Sequence, residues 1–187
     1  MNKLLVLFTG LLFLSATTWA AGGDYKLTKI SPAVIRTPDF NYNGDQRRIP
    51  GPAGQWLEIE VQFQSNVDFT DELTFKYYVL FAGTLLTGEV NHISIIKGRE
   101  LHSVMYVTPH TLVKLLDGKQ LSAVAIGNVA VQILNKGQLI DEMSWKPAQG
   151  QWWQTMQQTT GLLINKNETP FAPLYWDRYE AIKAPTH

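Results

Sequence analysis

Leu57-Glu58-Ile59-Glu60-Val61-Gln62-Phe63-Gln64 is the stretch that decides the fold. Its apolar residues occupy every second position, and each position between them holds Glu or Gln. Because successive side chains of a β-strand point to opposite sides, this period of two predicts a strand with one face in the core and the other in water. The chain is therefore expected to build an antiparallel sheet around this segment.

Further strands are predicted on both sides of this stretch. They cover residues 25–36 (with an interruption at Pro32 that suits an edge strand), 73–81, 90–96, 101–107, 121–134 and 138–145. Lys97-Gly98 is expected to close a hairpin, and Asn135-Lys136-Gly137 a second one. The apolar positions change parity near Gly127-Asn128, which predicts a β-bulge there.

A short helix is predicted from Thr108 to Leu116, with Thr108 as its N-cap and Pro109 at its first position. About seven short strands with one helix before the penultimate strand predict an all-β chain, an immunoglobulin-like antiparallel β-sandwich. A closed barrel is the alternative. The Asn-, Gly- and Pro-rich residues 39–54 are expected to form a long loop that joins the first strand to the main sheet.

The ends of the chain differ from its middle. Met1 to Ala20 has one Lys, an apolar run from Leu4 to Leu14 and small residues before Ala21, which is the pattern of a secretory signal peptide and too short for a membrane span. We therefore expect an exported protein of the periplasm or cell surface, with no membrane span after signal cleavage. The expected domains are a signal peptide at 1–20, the sandwich at 21–147 and an aromatic C-terminal extension at 148–187, which packs on the sandwich or on a partner.

Composition narrows the function. The 187 residues carry 16 Lys and Arg against 16 Asp and Glu, so no basic field favours nucleic acid. The absence of Cys excludes disulfides, Cys-ligated metals and thiol catalysis. There is no phosphate-binding loop, nucleophile elbow or His-Glu-x-x-His motif. The sequence therefore predicts no catalytic residues, no metal, no cofactor and no enzyme.

Two sets of residues are weaker candidates for chemistry. His92 and His102 would face each other only in one register of the predicted hairpin, so two surface histidines are the expected arrangement. The acidic pairs Asp71-Glu72 and Asp141-Glu142 are read as solvated charges, because neighbours on a strand point to opposite faces. A hydrolase with a non-local site, built from residues such as His92, Asp71 or Glu142, remains the second alternative.

The residues expected to bind a partner are aromatic or basic. The doublets Trp152-Trp153 and Tyr175-Trp176 would each turn one ring outward in extended backbone, where it could bind protein or stack on a sugar. Arg47 and Arg48, in the long loop, could bind an acidic partner. Packing of the aromatic rings in the fold, and solubility of the loop, are the alternative readings.

The segment Thr169 to Glu180 (TPFAPLYWDRYE), together with Trp56 to Val61 (WLEIEV), resembles a family of immunoglobulin-like secreted proteins. Their genes lie beside type IV pilus assembly components in mucin-dwelling verrucomicrobia. The resemblance implies a non-enzymatic interaction protein of a pilus-like system, with protein partners in a pilus or outer-membrane assembly. It brings no set of functional residues. A carbohydrate-binding module for mucin or wall glycans, using exposed Trp and Tyr, is the first alternative.

Overall fold

A computed structural model of the chain describes residues 23–38, 54–118 and 121–184. The predicted signal peptide and the loop with Arg47 and Arg48 lie outside these residues. The described elements are strands β1 (Tyr25–Arg36), β2 (Gln55–Phe81) and β3 (Thr84–Val107), helix α1 (Pro109–Leu116), and strands β4 (Ile126–Asn135), β5 (Gln138–Ser144), β6 (Gln158–Thr160) and β7 (Leu163–Asn165).

The two long strands β2 and β3 pass through both layers of a sandwich. The second half of β2 and the first half of β3 lie in the sheet β5-β4-β2-β3-β6, whereas their other halves pair with β1 and β7. The β2–β3 register shifts between Phe63 and Phe69, and strands that change layers do so through such irregularities. As a result Phe63 and Phe75 of the same strand face each other, with ring centroids 4.8 Å apart.

The core between the layers comes from the predicted alternation. Leu57, Ile59, Val61 and Phe63 are fully buried, and so are alternate residues from Leu73 to Phe81. The all-β sandwich of seven strands is confirmed, and in the described residues the sheet does not close into a barrel.

The strand boundaries differ from the prediction. Residues 57–63 and 73–81 belong to one bent strand, and the predicted hairpin at Lys97-Gly98 is wrong because β3 continues through it. The reversal lies instead at Ala82-Gly83, where both residues have positive φ, the backbone that a tight two-residue hairpin turn requires. Strand β1 likewise runs unbroken through Pro32 and has its irregularity near Thr28.

The local predictions around α1 and β4 are confirmed. The Thr108 hydroxyl accepts a hydrogen bond from the Thr111 amide at 3.2 Å, and α1 ends at Asp117 in the left-handed region. Leu112 and Leu116 of α1 reach the main core. Gly127 is the extra residue of the predicted bulge, since Leu80 pairs with Asn128 and Phe81 with Ile126. The strand begins only at Ile126, however, so Val124 is 90% exposed instead of facing the core.

The C-terminal extension packs on the sandwich by covering the free edge of β3. At the start of β3, β6 pairs with Leu85–Thr87. In the middle, backbone hydrogen bonds join Lys183 to Asn91, Ala181 to Ile93 and Glu180 to His102. At the end, β7 pairs with Met105–Val107. An uncovered strand edge is a template for aggregation. We use the name strap for residues 171–184 of this extension.

Candidate interaction surface

The strap covers the polar face of β2 that the sequence assigned to water. Phe171 of the strap is buried against Tyr106, with stacked rings 4.9 Å apart, and meets the edge of Trp56 at 5.5 Å. Val104 completes this small second core, which is separate from the core between the layers. The Glu58 and Glu60 carboxylates therefore lie half-buried beneath the strap and not in bulk water.

Glu60 anchors the strap electrostatically. The Arg178 guanidinium donates two hydrogen bonds to its carboxylate at 2.8 and 3.0 Å, and the Tyr179 hydroxyl donates a third at 2.8 Å. Burial alone would raise the pKa of Glu60, but these three donors outweigh it and lower the pKa below its ordinary value. Arg178 is held in a bidentate geometry that fixes both its position and its charge.

Glu58, two residues earlier on the same face, has the opposite electrostatics. Its carboxylate accepts one hydrogen bond, from the Tyr106 hydroxyl at 3.1 Å. Burial raises the pKa of Glu58, and the negative charge of Glu60 adds to the rise. Among the described residues no Lys, Arg or His lies within ion-pair distance of Glu58.

A second anchor of the strap is a buried chain of hydrogen bonds. The Tyr77 hydroxyl donates to Ser103 Oγ at 2.6 Å, Ser103 donates to His92 Nε2 at 2.7 Å, and His92 Nδ1 donates to the Glu180 carbonyl at 3.1 Å. Burial lowers the pKa of His92 to about 4, so the ring is neutral at pH 7. The network joins β2 and β3 to the strap.

The expectation of two surface histidines is wrong for His92, because the bend of β3 brings it beside Ser103 and buries it. A serine hydroxyl on a histidine nitrogen resembles a nucleophile and its base. Ser103 and His92 are 0% and 1% exposed, however, so no substrate reaches them in this structure. The pair is structural here.

The four aromatic candidates lie on two different surfaces. Trp153 is buried, its ring stacked on Tyr78 at 4.9 Å, and Trp152 is half-buried with its Nε1 donating to Ser144 Oγ at 3.2 Å. These two tryptophans therefore pack on the outer side of the β4–β2 sheet. The structure does not bring them to the strap.

Tyr175 and Trp176 are the aromatic rings that the strap turns outward. They are 62% and 80% exposed, and we call this pair the knob. Tyr175 has a φ of 51°, a left-handed backbone that is unusual for a bulky residue and orients the turn. The turn is fixed on both sides, by the burial of Phe171 and by the Arg178–Glu60 ion pair. Arg47 and Arg48, the remaining candidates, lie outside the described residues.

A groove of about 560 Å³ runs beside the knob, between the strap and the end of β1. Leu174, Tyr175 and Arg178 form its strap side, and Ile35 and Arg36 form the β1 side. Glu58 and Glu60 lie at its base. Sequence reasoning missed this groove, although two carboxylates on one strand face and an Arg-Tyr pair in a distant aromatic segment were its signal.

Within the described residues, no cluster of three His, Asp or Glu side chains is arranged to hold a metal ion. No helix in this part of the chain has the length and apolar character needed to cross a bilayer.

Comparisons with known proteins agree with this fold. The structure is similar to the crystal structure of a protein from Akkermansia muciniphila, with a TM-score of 0.74 and 22% sequence identity over 87% of this chain and 94% of that one. At this identity the likeness shows the fold alone. A search of curated proteins gives no match. A protein-family model matches residues 16–186, nearly the whole length, and the chain accordingly belongs to that family.

Proposed function

We propose that this protein is an exported, non-enzymatic interaction protein of a type IV pilus-like system, and that the knob binds another pilus or envelope protein. The observation that carries the proposal is the exposure of Tyr175 and Trp176 on a backbone that is fixed from both sides. Large aromatic side chains are the residues most enriched among the hot spots of protein interfaces.

The anchoring of the knob supports a role in binding. A flexible aromatic loop loses conformational freedom when it binds, whereas a turn already held by Phe171 and Arg178 loses little. Tyr175 adopts a strained, left-handed backbone in the turn that directs the knob outward, and strain of this kind clusters at functional positions.

The wider biological setting rests on the sequence resemblance. Residues 56–61 and 169–180 resemble immunoglobulin-like secreted proteins whose genes lie beside pilus assembly components, which supports a place in a pilus-like system. The signal-peptide pattern at residues 1–20 supports export to the periplasm or cell surface.

Crosslinking and capture from the cells that make the protein test the proposal. Tyr175→Ala with Trp176→Ala should reduce capture of a pilus or envelope protein by about tenfold or more, the scale of a lost aromatic hot spot. Val124→Ala is the matched control, since it truncates another exposed apolar side chain, far from the strap in sequence. Equal capture by all three proteins would contradict the role of the knob.

Point variants are better suited to this test than a chain that ends near Pro147. Such a truncation removes β6, β7 and the strap, which together cover the edge of β3. The exposed edge would itself capture other proteins and hide the effect of the knob.

Binding of a glycan is a second candidate, because the exposed Tyr175 ring lines the groove together with carboxylates and arginines, and the exposed Trp176 follows it in the chain. Sugars stack on such rings and hydrogen-bond to such groups. A glycan array that includes mucin oligosaccharides separates the two candidates: hits that disappear in Trp176→Ala would favour glycan, and an array without hits would exclude it.

A further inference from the structure

The groove beside the knob has a charged base and an apolar strap side. Its base holds Glu58 and Glu60, and its strap side holds the apolar Leu174 and the Tyr175 ring. A partner side chain that enters here meets a carboxylate at one end and apolar surface along its length.

The charges of the groove are not equally available to a partner. Arg178 and Glu60 satisfy each other through two hydrogen bonds, and Tyr179 adds a third to Glu60. Glu58 has one neutral donor, the Tyr106 hydroxyl, and no cation within ion-pair distance among residues 23–38, 54–118 and 121–184. A half-buried carboxylate with open acceptor positions is stabilised strongly by a charged donor.

Arg36 limits which partners fit. It is an exposed residue on the β1 side of the groove and has the same sign as an incoming cation. Arg178, on the strap side, is already paired with Glu60, so the charge of Arg36, unpaired among the described residues, disfavours a cation on the β1 side and favours one next to Glu58 and Tyr175, where it also gains cation–π attraction.

We propose that the groove binds a lysine or arginine side chain of the partner protein, with its charged head on Glu58 and its aliphatic stem along Leu174 and Tyr175. Long basic side chains bury their stems on apolar surface in this way. The inference rests on the proposed function, since it assigns the partner chemistry of the same surface.

Titration with a small probe tests this without knowledge of the partner. Nα-acetyl-lysine methylamide is added to the ¹⁵N-labelled protein, and Nα-acetyl-norleucine methylamide, which lacks the charge, serves as the neutral control. The lysine probe should shift the amide signals of residues 58–60 and 174–179, and the norleucine probe should shift them far less. No lysine-specific shift in this region would overturn the inference.

Three variants make the test specific. Glu58→Gln should weaken lysine binding by about tenfold, the scale of a hydrogen bond to a charged group. Asp177→Asn removes the same charge from an exposed strap residue and should leave binding within about twofold, as expected for a screened surface charge. Arg36→Gln should strengthen binding. Equal weakening by Glu58→Gln and Asp177→Asn would mean unspecific attraction and would overturn the assignment.

Two further outcomes bear on this inference, and the second separates it from the proposed function. If Arg47→Ala with Arg48→Ala strengthens lysine binding, the chain's own arginines compete for Glu58, and the partner assignment is overturned. If the lysine probe fails while wild type captures a partner and the knob variant does not, the groove inference fails and the proposed function stands.

Discussion

The two faces of β2 are both covered, but by different means. The inner face buries Leu57, Ile59 and Val61 between the two layers through apolar contact alone. The outer face carries Glu58 and Glu60, and a segment more than 100 positions away in sequence covers them with aromatic rings, an ion pair and a hydroxyl donor. The first arrangement stabilises the fold, and the second positions a surface.

This difference has a physical basis. Apolar burial is non-directional, so the inner core tolerates exchange among residues of similar volume. Charged hydrogen bonds are directional, so the outer face fixes where the strap lies and how its knob is oriented. We expect variants of the inner face to act mainly on stability and variants of the outer face to act mainly on binding.

The largest expected effect is Phe75→Ala on the inner face. Phe75 is fully buried against Phe63, and its truncation leaves a cavity that should lower the free energy of unfolding by about 3–5 kcal/mol. Phe171→Ala, in the small second core at the surface, should lower it by only about 2 kcal/mol because the strap can relax into the space. Urea unfolding measures both, and equal losses would contradict the distinction between the two cores.

The next effect is the acid sensitivity that His92 gives to the strap anchor. Because its pKa falls from 6.5 to about 4 on folding, His92 stabilises the neutral-pH protein, and this contribution is lost as the pH falls from about 6.5 towards 4. The free energy of unfolding should drop by about 2 kcal/mol between pH 7 and pH 4.5 from this group.

His92→Gln should remove that part of the pH dependence, whatever its effect on stability at pH 7. His110→Gln is the matched control, since His110 is exposed on α1 and lies outside the hydrogen-bond network of His92. Stability of each protein is measured by urea unfolding at both pH values. The role of His92 is contradicted if its variant keeps the slope of the wild type.

Two neighbouring carboxylates should respond in opposite directions when they are neutralised. Glu60→Gln breaks the ion pair with Arg178 and should lower stability at pH 7 by about 1 kcal/mol, a modest value because the arginine is 47% exposed. Glu58→Gln should keep or raise stability at pH 7, because the folded protein disfavours the charged form of Glu58.

The pH dependence of these variants follows from the direction of each pKa shift. The lowered pKa of Glu60 means that its contribution is present above about pH 4.5 and is lost as the pH falls through the folded value. The raised pKa of Glu58 means that stability from this group is lost as the pH rises from about 4.5 through the folded value. Unfolding curves from pH 3 to pH 7 measure both trends, and a loss of stability at pH 7 in Glu58→Gln equal to that in Glu60→Gln would contradict them.

The inner face was predictable from sequence and the outer face was not. Alternation at residues 57–64 identifies the buried side of β2, and the Thr108-Pro109 signal identifies α1, because both depend on neighbouring residues. The bend of β2 and β3 is not a local property: Lys97-Gly98 has turn chemistry, yet the strand continues because it pairs with β2 on both sides of the bend.

Residues that anchor the strap are further apart still. Arg178 and Glu60 are separated by 118 positions, and His92 meets Ser103 only because their strand is bent. Such contacts leave no periodic pattern in the sequence. The sequence therefore predicted a solvated charge at Glu60 and a surface position for His92. The two aromatic doublets are alike in sequence, whereas tertiary packing buries Trp153 and exposes Trp176.

The smallest expected effect on stability is at Tyr175, and this residue also separates binding from stability most clearly. Tyr175→Gly removes the exposed ring and relieves a left-handed backbone that glycine adopts freely, so the free energy of unfolding should stay constant or rise by up to about 1 kcal/mol. Capture of the partner should nevertheless fall, because the ring is lost. Tyr175→Phe keeps the ring and the strained backbone and should retain capture. A glycine variant that is clearly less stable would mean that the exposed ring stabilises the fold. Tyr175 would then act on stability, as the residues of the inner face do.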